Sequence, residues 1–219
     1  MSGIVGIVRE GYRPAAPLLL YGLFALQHRG QETAGMATLN HNHLSMKKGT
    51  GLLSSIFVDD SVHALAGDRG LGHVKYGEYR RYDKEQPILP KEFNIKGIHC
   101  LLSLDGNILN PGFSLGEMTD KLGRNPEEAL AYLDTLQGAF AGIYMNPHKM
   151  VGFRDPWGLK PLCVGRVDEG FIFASETCAI DSCGGTLIKM LDIGEAAIVT
   201  GGRLTFHKYS TRSFHRSCL

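Results

Sequence analysis

The chain has 219 residues, 43% hydrophobic and 21% charged, enough to bury the core of one large domain or two small ones and too apolar for a disordered chain. Its 28 glycines and 9 prolines fall short of a low-complexity composition. A formal net charge of +1 gives no overall pull toward nucleic acid or an anionic membrane.

The N-terminus Met1-Ser2-Gly3-Ile4-Val5-Gly6-Ile7-Val8 lacks the basic segment and cleavage site of a signal peptide, and Gly3 to Val8 reads as a buried strand. Ala15 to Leu26 is too short to span a bilayer. Within Ala15–Gln27, the spacing of Leu19, Leu20, Leu23, Phe24 and Gln27 predicts a helix stopping before Gly30. Asn125-Pro126-Glu127-Glu128 reads as a helix start, with an N-cap, proline at the first helical position and acids in the first turn. Leu130, Leu133 and Leu136 continue that helix, and Gly138 supplies its stop. Beyond it, Ala139–Met145, Lys149–Arg154, Leu162–Val167 and Phe171–Ala174 read as strands separated by turns. Gly201-Gly202 joins Ala196–Thr200 to Arg203–His207 as a tight hairpin. These elements predict an α+β domain of layered antiparallel sheets. Lys208 to Leu219, rich in Ser, Thr, Arg and His, reads as an extension of it. Five cysteines without paired spacing fit a reducing compartment, which places the chain in the cytoplasm.

Four places suggest chemistry, each with a plainer reading beside it. Ser2 is a nucleophile type next to the chain start. If Met1 is removed its free α-amine can serve as base toward its own hydroxyl, although many chains begin Met-Ser with no such role. Gln27-His28-Arg29-Gly30-Gln31-Glu32 is either a polar site or a solvated helix end with cations near the dipole's negative pole. Ser103-Leu104-Asp105-Gly106-Asn107 reads as a turn closing the apolar run His99–Leu102. Arg154 to Leu162 is a rigid loop holding the single tryptophan, shaped by two prolines and a glycine. Gly49-Thr50-Gly51 lacks the rest of a phosphate loop. His41-Asn42-His43 reads as a polar turn, and Cys178 and Cys183 as strand-end cysteines rather than zinc ligands. No cofactor and no metal is expected.

Taken in order, these segments resemble the N-terminal glutaminase domain of the glutamine phosphoribosylpyrophosphate amidotransferases, class II amidotransferases of the N-terminal-nucleophile type. Ser2-Gly3-Ile4-Val5-Gly6-Ile7 stands where that family has Cys-Gly-Ile-Val-Gly-Ile, and Leu26 to Glu32 matches its helix-end motif, including Arg29. Gly72-His73-Val74-Lys75-Tyr76 stands for Gly-His-Val-Arg-Tyr, followed by Gln86-Pro87. Arg154-Asp155-Pro156, Gly158, Pro161-Leu162 and Ala174 to Ala179 match later scaffold motifs. The resemblance implies a four-layer αββα sandwich over residues 1–207. It makes residues 208–219 a counterpart of the linker to a phosphoribosyltransferase domain. It also implies a catalytic set of Ser2, Arg29, Asp105 and Gly106, with Lys75, Tyr76 and Asp120 binding the substrate, glutamine or a related small amide.

The departures from the family pattern fall together. Ser2 replaces the nucleophilic cysteine, Asp105 replaces the asparagine of the oxyanion-stabilising Asn-Gly pair, and Lys75 replaces the arginine that clamps the substrate carboxylate. Gly77-Glu78 replaces the family's Ser-Thr, and Asp120 lies in a shortened stretch without the full family motif. This pattern implies a domain with lost or impaired glutaminase activity and a binding, regulatory or assembly role. The alternative is a hydrolase that uses Ser2 on glutamine or another amide. A separately encoded synthase or phosphoribosyltransferase subunit is the expected partner, in an oligomer, with no nucleic acid and no membrane.

Overall fold

The computed structural model describes residues 1–11, 13–76 and 90–212, with backbone only at 59 and 60. Gly77-Glu78 and Gln86-Pro87 lie outside the described residues. Two antiparallel sheets stack face to face. One has seven strands in the order β11-β9-β10-β1-β4-β2-β3, the other six in the order β13-β12-β8-β7-β6-β5. The first sheet comprises β1 (Ser2–Arg9), β2 (Thr33–Asn40), β3 (His43–Thr50), β4 (Arg69–Lys75), β9 (Cys163–Val167), β10 (Gly170–Ala174) and β11 (Thr186–Met190). The second comprises β5 (Lys91–Ile95), β6 (Ile98–Ile108), β7 (Gly138–Met145), β8 (Lys149–Arg154), β12 (Glu195–Thr200) and β13 (Arg203–Lys208).

The run of apolar residues at the N-terminus determines where β1 goes. A strand buried on both faces belongs in the middle of a covered sheet, and β1 lies centrally, paired with β10 on one side and β4 on the other. Its side chains divide by alternation. Val5 and Ile7 pack outward beneath α1 (Ala16–Ala25) and α5 (Thr177–Ser182), and Ile4 packs inward against Leu101, Ile143 and Met150 of the second sheet. A short helix, α2 (Leu53–Ile56), joins the outer layer. The far face of the second sheet is covered by α3 (Leu115–Gly123) and α4 (Pro126–Thr135), whose Met118, Leu122, Ala129 and Leu133 pack on Tyr144, Phe140 and Phe153. Helix, sheet, sheet and helix thus enclose three apolar layers, the αββα sandwich.

α4 starts as its sequence dictates, with the Asn125 side chain accepting from the Glu128 N–H at 2.9 Å. Its end differs from expectation. The helix stops at Thr135, and Gly138, with φ of +130°, opens β7 instead of capping the helix. In α1 the buried stripe is Ala16, Leu19, Gly22 and Leu23, while Phe24 is exposed. Asp105-Gly106-Asn107 is not a turn either. β6 runs unbroken from Ile98 to Ile108, because Gly106 at φ +114° keeps pairing with Phe140 in a conformation that L side chains rarely adopt. A Cβ there would lie 1.9 Å from the Ala139 carbonyl oxygen. Cys178 and Cys183 sit in α5 and at its C-cap, not at strand ends. The Gly201-Gly202 hairpin has positive φ at both residues, as a primed turn requires. Lys208 closes β13, and Tyr209 and Ser210 are buried, so the packed domain runs at least three residues past the boundary expected at His207.

Candidate active site

Ser2 begins β1 opposite Lys75 and is 4% exposed. The chain leaves α1 through a single 3-10 turn, Gln27–Arg29, which points Arg29 back under the start of β1. The Arg29 guanidinium spends its donors in three directions. Nε donates to the Ser2 carbonyl oxygen at 2.7 Å, Nη1 to Glu176 Oε1 at 2.6 Å, and Nη2 to Asp105 Oδ2 at 3.0 Å. One side chain therefore ties the first strand, the N-cap of α5 and the second sheet together. The planar fork of arginine suits this, and a lysine could not make all three contacts.

Asp105 is 1% exposed and accepts from a second cation, Lys160 Nζ, at 3.2 Å through Oδ1. Lys160 reaches it because the Arg154–Pro161 loop is rigid. Asp155 caps that loop, accepting from the Trp157 N–H at 2.8 Å and the Lys160 N–H at 3.1 Å. Arg154 fills it, donating to the carbonyls of Lys160, Gly158 and Leu191. The loop that holds the tryptophan thus presents a lysine. Ser175 sets the register of β1 from the other side, its Oγ accepting from the Ile4 N–H and its own N–H donating to the Ile4 carbonyl, both at 3.0 Å.

Charges alternate along a line, Lys160, Asp105, Arg29 and Glu176, and beyond them the His28 Nε2 lies 3.1 Å from Glu176 Oε2. Burial pushes the Glu176 carboxyl up, but the hydrogen bond and charge of Arg29 and the charge of His28 outweigh it and hold it below the usual range. Beside this line, His73 on β4 is 1% exposed. Burial, and then the positive charges of Lys75, Lys48 and the N-terminus, push it down to about 3, so its imidazole is neutral.

Of the residues singled out from sequence, the structure brings Ser2, Arg29 and Asp105 into one hydrogen-bonded group, with Lys75 across from Ser2 and Gly106 adjoining Asp105. Tyr76 follows Lys75, half exposed, its N–H donating to the Met1 carbonyl at 3.3 Å. Asp120 is not brought to this group. It lies on α3, over the far face of the second sheet, paired with Arg124 at 2.8 Å. Glu176 and Lys160 were not among the candidates. Both fell inside segments read as scaffold, Ala174–Ala179 and the tryptophan loop, where nothing local marks a side chain whose partners lie 55 and 147 residues away. A cavity of about 620 Å³ opens elsewhere, at the other end of β1, lined by Arg9, Arg69, His148 and Gly201 among others. Its Arg9 and Arg69 are engaged by Asp168 and Asp68, and the chemistry-bearing cluster lies at the Ser2 end.

A family model described as a glutamine amidotransferase domain matches residues 113–182. The amidophosphoribosyltransferase of Archaeoglobus fulgidus is 34% identical over 245 residues, an alignment spanning 100% of this chain and 52% of that protein. The Bacillus subtilis amidophosphoribosyltransferase is 30% identical, over 95% of the chain and 48% of its own length. The glutamine phosphoribosylpyrophosphate amidotransferase structure from B. subtilis, complexed with ADP and GMP, superposes with a TM-score of 0.80 at 28% identity, over 96% of this chain and 50% of that one. This is a glutamine amidotransferase-type domain related to those of the amidophosphoribosyltransferases. The amidotransferase domain spans about half the length of the curated relatives it matches. A glutamine aminotransferase class-II domain protein from Silicibacter pomeroyi, 11% identical with a TM-score of 0.56, shares the fold. Among the described residues of the amidotransferase domain, no helix is long and apolar enough to cross a membrane.

Proposed function

We propose that this amidotransferase domain has lost or strongly reduced glutamine hydrolysis and serves as a binding, regulatory or assembly domain. The observation that carries the reading is the state of Asp105. The resemblance places it where the family has an amide that donates to the oxyanion of the reaction. Here the side chain is a buried carboxylate between Arg29 and Lys160. An ionised carboxylate accepts hydrogen bonds and donates none. Losing one oxyanion donor costs about 2.7–4 kcal/mol in catalysis. The two cations that could compensate are both held by Asp105 itself. Ser2 adds a further handicap, since a serine hydroxyl is far less ionised near neutral pH than a cysteine thiol.

The alternative, hydrolysis by Ser2 of glutamine or another amide, is favoured by one feature: Ser2 is held in place by Arg29 at the head of the central strand. Intact mass before and after incubation with a glutamine-analogue electrophile, with ammonia release measured in parallel, separates the two. The proposed reading expects no adduct and no ammonia. An adduct on Ser2 with ammonia release establishes the alternative. A phosphoribosyltransferase partner and a place in purine biosynthesis are the corresponding proposals from the relatives, and the cysteine spacing carries the proposal of a cytoplasmic location.

A further inference from the structure

Apolar side chains fill the layer between the two sheets, but at the far end of β1 that layer opens into the cavity of about 620 Å³. It stays open because the chain there supplies backbone instead of side chains. Gly11, Gly170, Gly201 and Gly202 line it, and a Cβ added at Gly11 or Gly201 would meet nothing within 4 Å. Its floor belongs to the core: Met150, Phe171 and Val199 are buried, and Val8 packs against them. One charged side chain interrupts this apolar surface. Strand pairing sets Phe171, Val8, Arg69 and Leu39 in one row across the first sheet, and alternation turns Arg69 inward with Leu71. The Arg69 guanidinium crosses to the second sheet, where Nη1 donates to the Pro147 carbonyl in the β7–β8 turn, and Nε donates to Asp68 Oδ1 at 3.0 Å. The side chain is 20% exposed, so it is held largely out of water, and its Nη2 takes part in neither contact. The other cations of the lining are turned elsewhere: Arg9 to Asp168 and the Pro14 carbonyl, and the Lys149 ammonium to the Arg124 carbonyl.

We propose that this cavity binds a small organic acid, a carboxylate carried on an apolar body about the size of an aromatic ring. The volume falls in the range of small-molecule sites, about 300–1,000 Å³, and so does the pattern of an apolar floor with few polar groups. The carboxylate is the matching head group because it accepts from Nη2 in a charge-assisted hydrogen bond while the body covers Val8 and Phe171. A wholly apolar guest would strip water from the guanidinium and return no acceptor, which costs free energy. A cation would have to lie against Arg69, and the nearest carboxylate, Asp68, already accepts from Arg69 Nε. Glu10 leaves the floor clear, since its carboxylate sits at the edge, where a Cβ on Gly202 would be. The site is at the opposite end of β1 from Ser2 and does not rest on whether glutamine hydrolysis is lost.

Amide nitrogen-15 spectra of the full chain, titrated with phenylacetate and separately with its uncharged analogue phenylacetamide, test the proposal. Phenylacetate is expected to shift the amides of Val8, Arg69, Phe171 and Gly201 saturably, with a Kd of about 1 mM or tighter, and phenylacetamide to bind at least about tenfold more weakly. Val8→Phe, which sets a ring into the cavity, should abolish these shifts, and Arg69→Met should remove the preference for the acid. No saturable shift with phenylacetate, equal affinity for the two probes, or shifts confined to Ser2, Arg29 and Lys75 overturn the proposal. If either variant does not fold, the unaltered chain still decides, the two probes reporting the charge preference and the amides that move reporting the place.

Discussion

Replacing Asp105 by asparagine is the most revealing single perturbation, because it removes one charge and almost no volume. The carboxylate is 1% exposed and accepts from Arg29 at 3.0 Å and Lys160 at 3.2 Å. Breaking a buried pair by deleting one member typically costs about 3–5 kcal/mol, since the other charge remains uncompensated. Two features lower that figure here. Arg29 keeps Glu176 at 2.6 Å, and the Lys160 side chain, 23% exposed, can turn toward solvent. The expected cost is therefore about 2–4 kcal/mol, or a fall in Tm of roughly 5–15 °C at this chain length. Urea unfolding followed by circular dichroism measures it. The double variant Asp105→Asn/Lys160→Met, which removes the stranded cation as well, should recover part of the loss. A single variant within about 0.5 kcal/mol of the unaltered protein would refute the view that Asp105 is a charge held between two cations.

Other outcomes follow from the same geometry. Ser2→Cys with Asp105→Asn should restore measurable ammonia release from glutamine, and none from the folded double variant would mean that the rest of the pocket no longer fits glutamine. His73 has a folded pKa of about 3 against an ordinary value of 6.5, so below pH 6.5 the unfolded chain binds a proton that the folded one does not. Stability contributed by the neutral ring is complete above pH 6.5 and is lost as pH falls toward 3, at up to about 1.4 kcal/mol per pH unit. The slope of stability against pH in that window should flatten in His73→Gln, and an unchanged slope would show that His73 is not the group responsible. Gly106→Ala should destabilise by about 2–4 kcal/mol, because it combines a positive φ with a methyl group driven into the Ala139 carbonyl. Denaturation midpoints of Gly106→Ala and of Gly112→Ala, whose φ is +72° in open space, separate the steric part from the conformational part.

The parts of this fold that can be read from sequence are those fixed by local chemistry. Asn125-Pro126 announces a helix start because the N-cap contact is three residues long. The Gly201-Gly202 hairpin is legible because two adjacent glycines accept positive φ without strain. β1 is legible because its apolar run has no solvent-facing side. What escapes is fixed by distant partners. Asp105-Gly106-Asn107 has the composition of a turn, and only the β7 backbone beside it makes it a strand. Thr33–Asn40 carries no strong strand pattern and becomes one because β4 and β3 flank it. The site divides in the same way. Ser2, Arg29 and Asp105 were reachable through motifs. Lys160 and Glu176 became members of the site only when the tryptophan loop and α5 closed on it.

The Lys160–Asp105 contact also bears on how a buried carboxylate is tolerated at position 105. An asparagine at 105 would be neutral and would not compete with Glu176 for Arg29. A carboxylate there would compete with Glu176 for one guanidinium, leaving two anions against one cation in a region where Arg29 is itself only 7% exposed. Lys160 brings the count to two against two, and the Asp155 contact to its N–H fixes the backbone from which its side chain reaches the carboxylate. Asp105 and Lys160 thus form a unit that is stable for folding. On the proposed reading it is self-cancelling for catalysis, because each cation that could stabilise a developing oxyanion already faces a carboxylate. Removing the lysine alone, in Lys160→Met, tests that balance from the other side. It leaves Asp105 sharing Arg29 with Glu176, and it should cost stability without creating glutaminase activity, whereas a gain of ammonia release would show that Lys160, and not Asp105, is what silences Ser2.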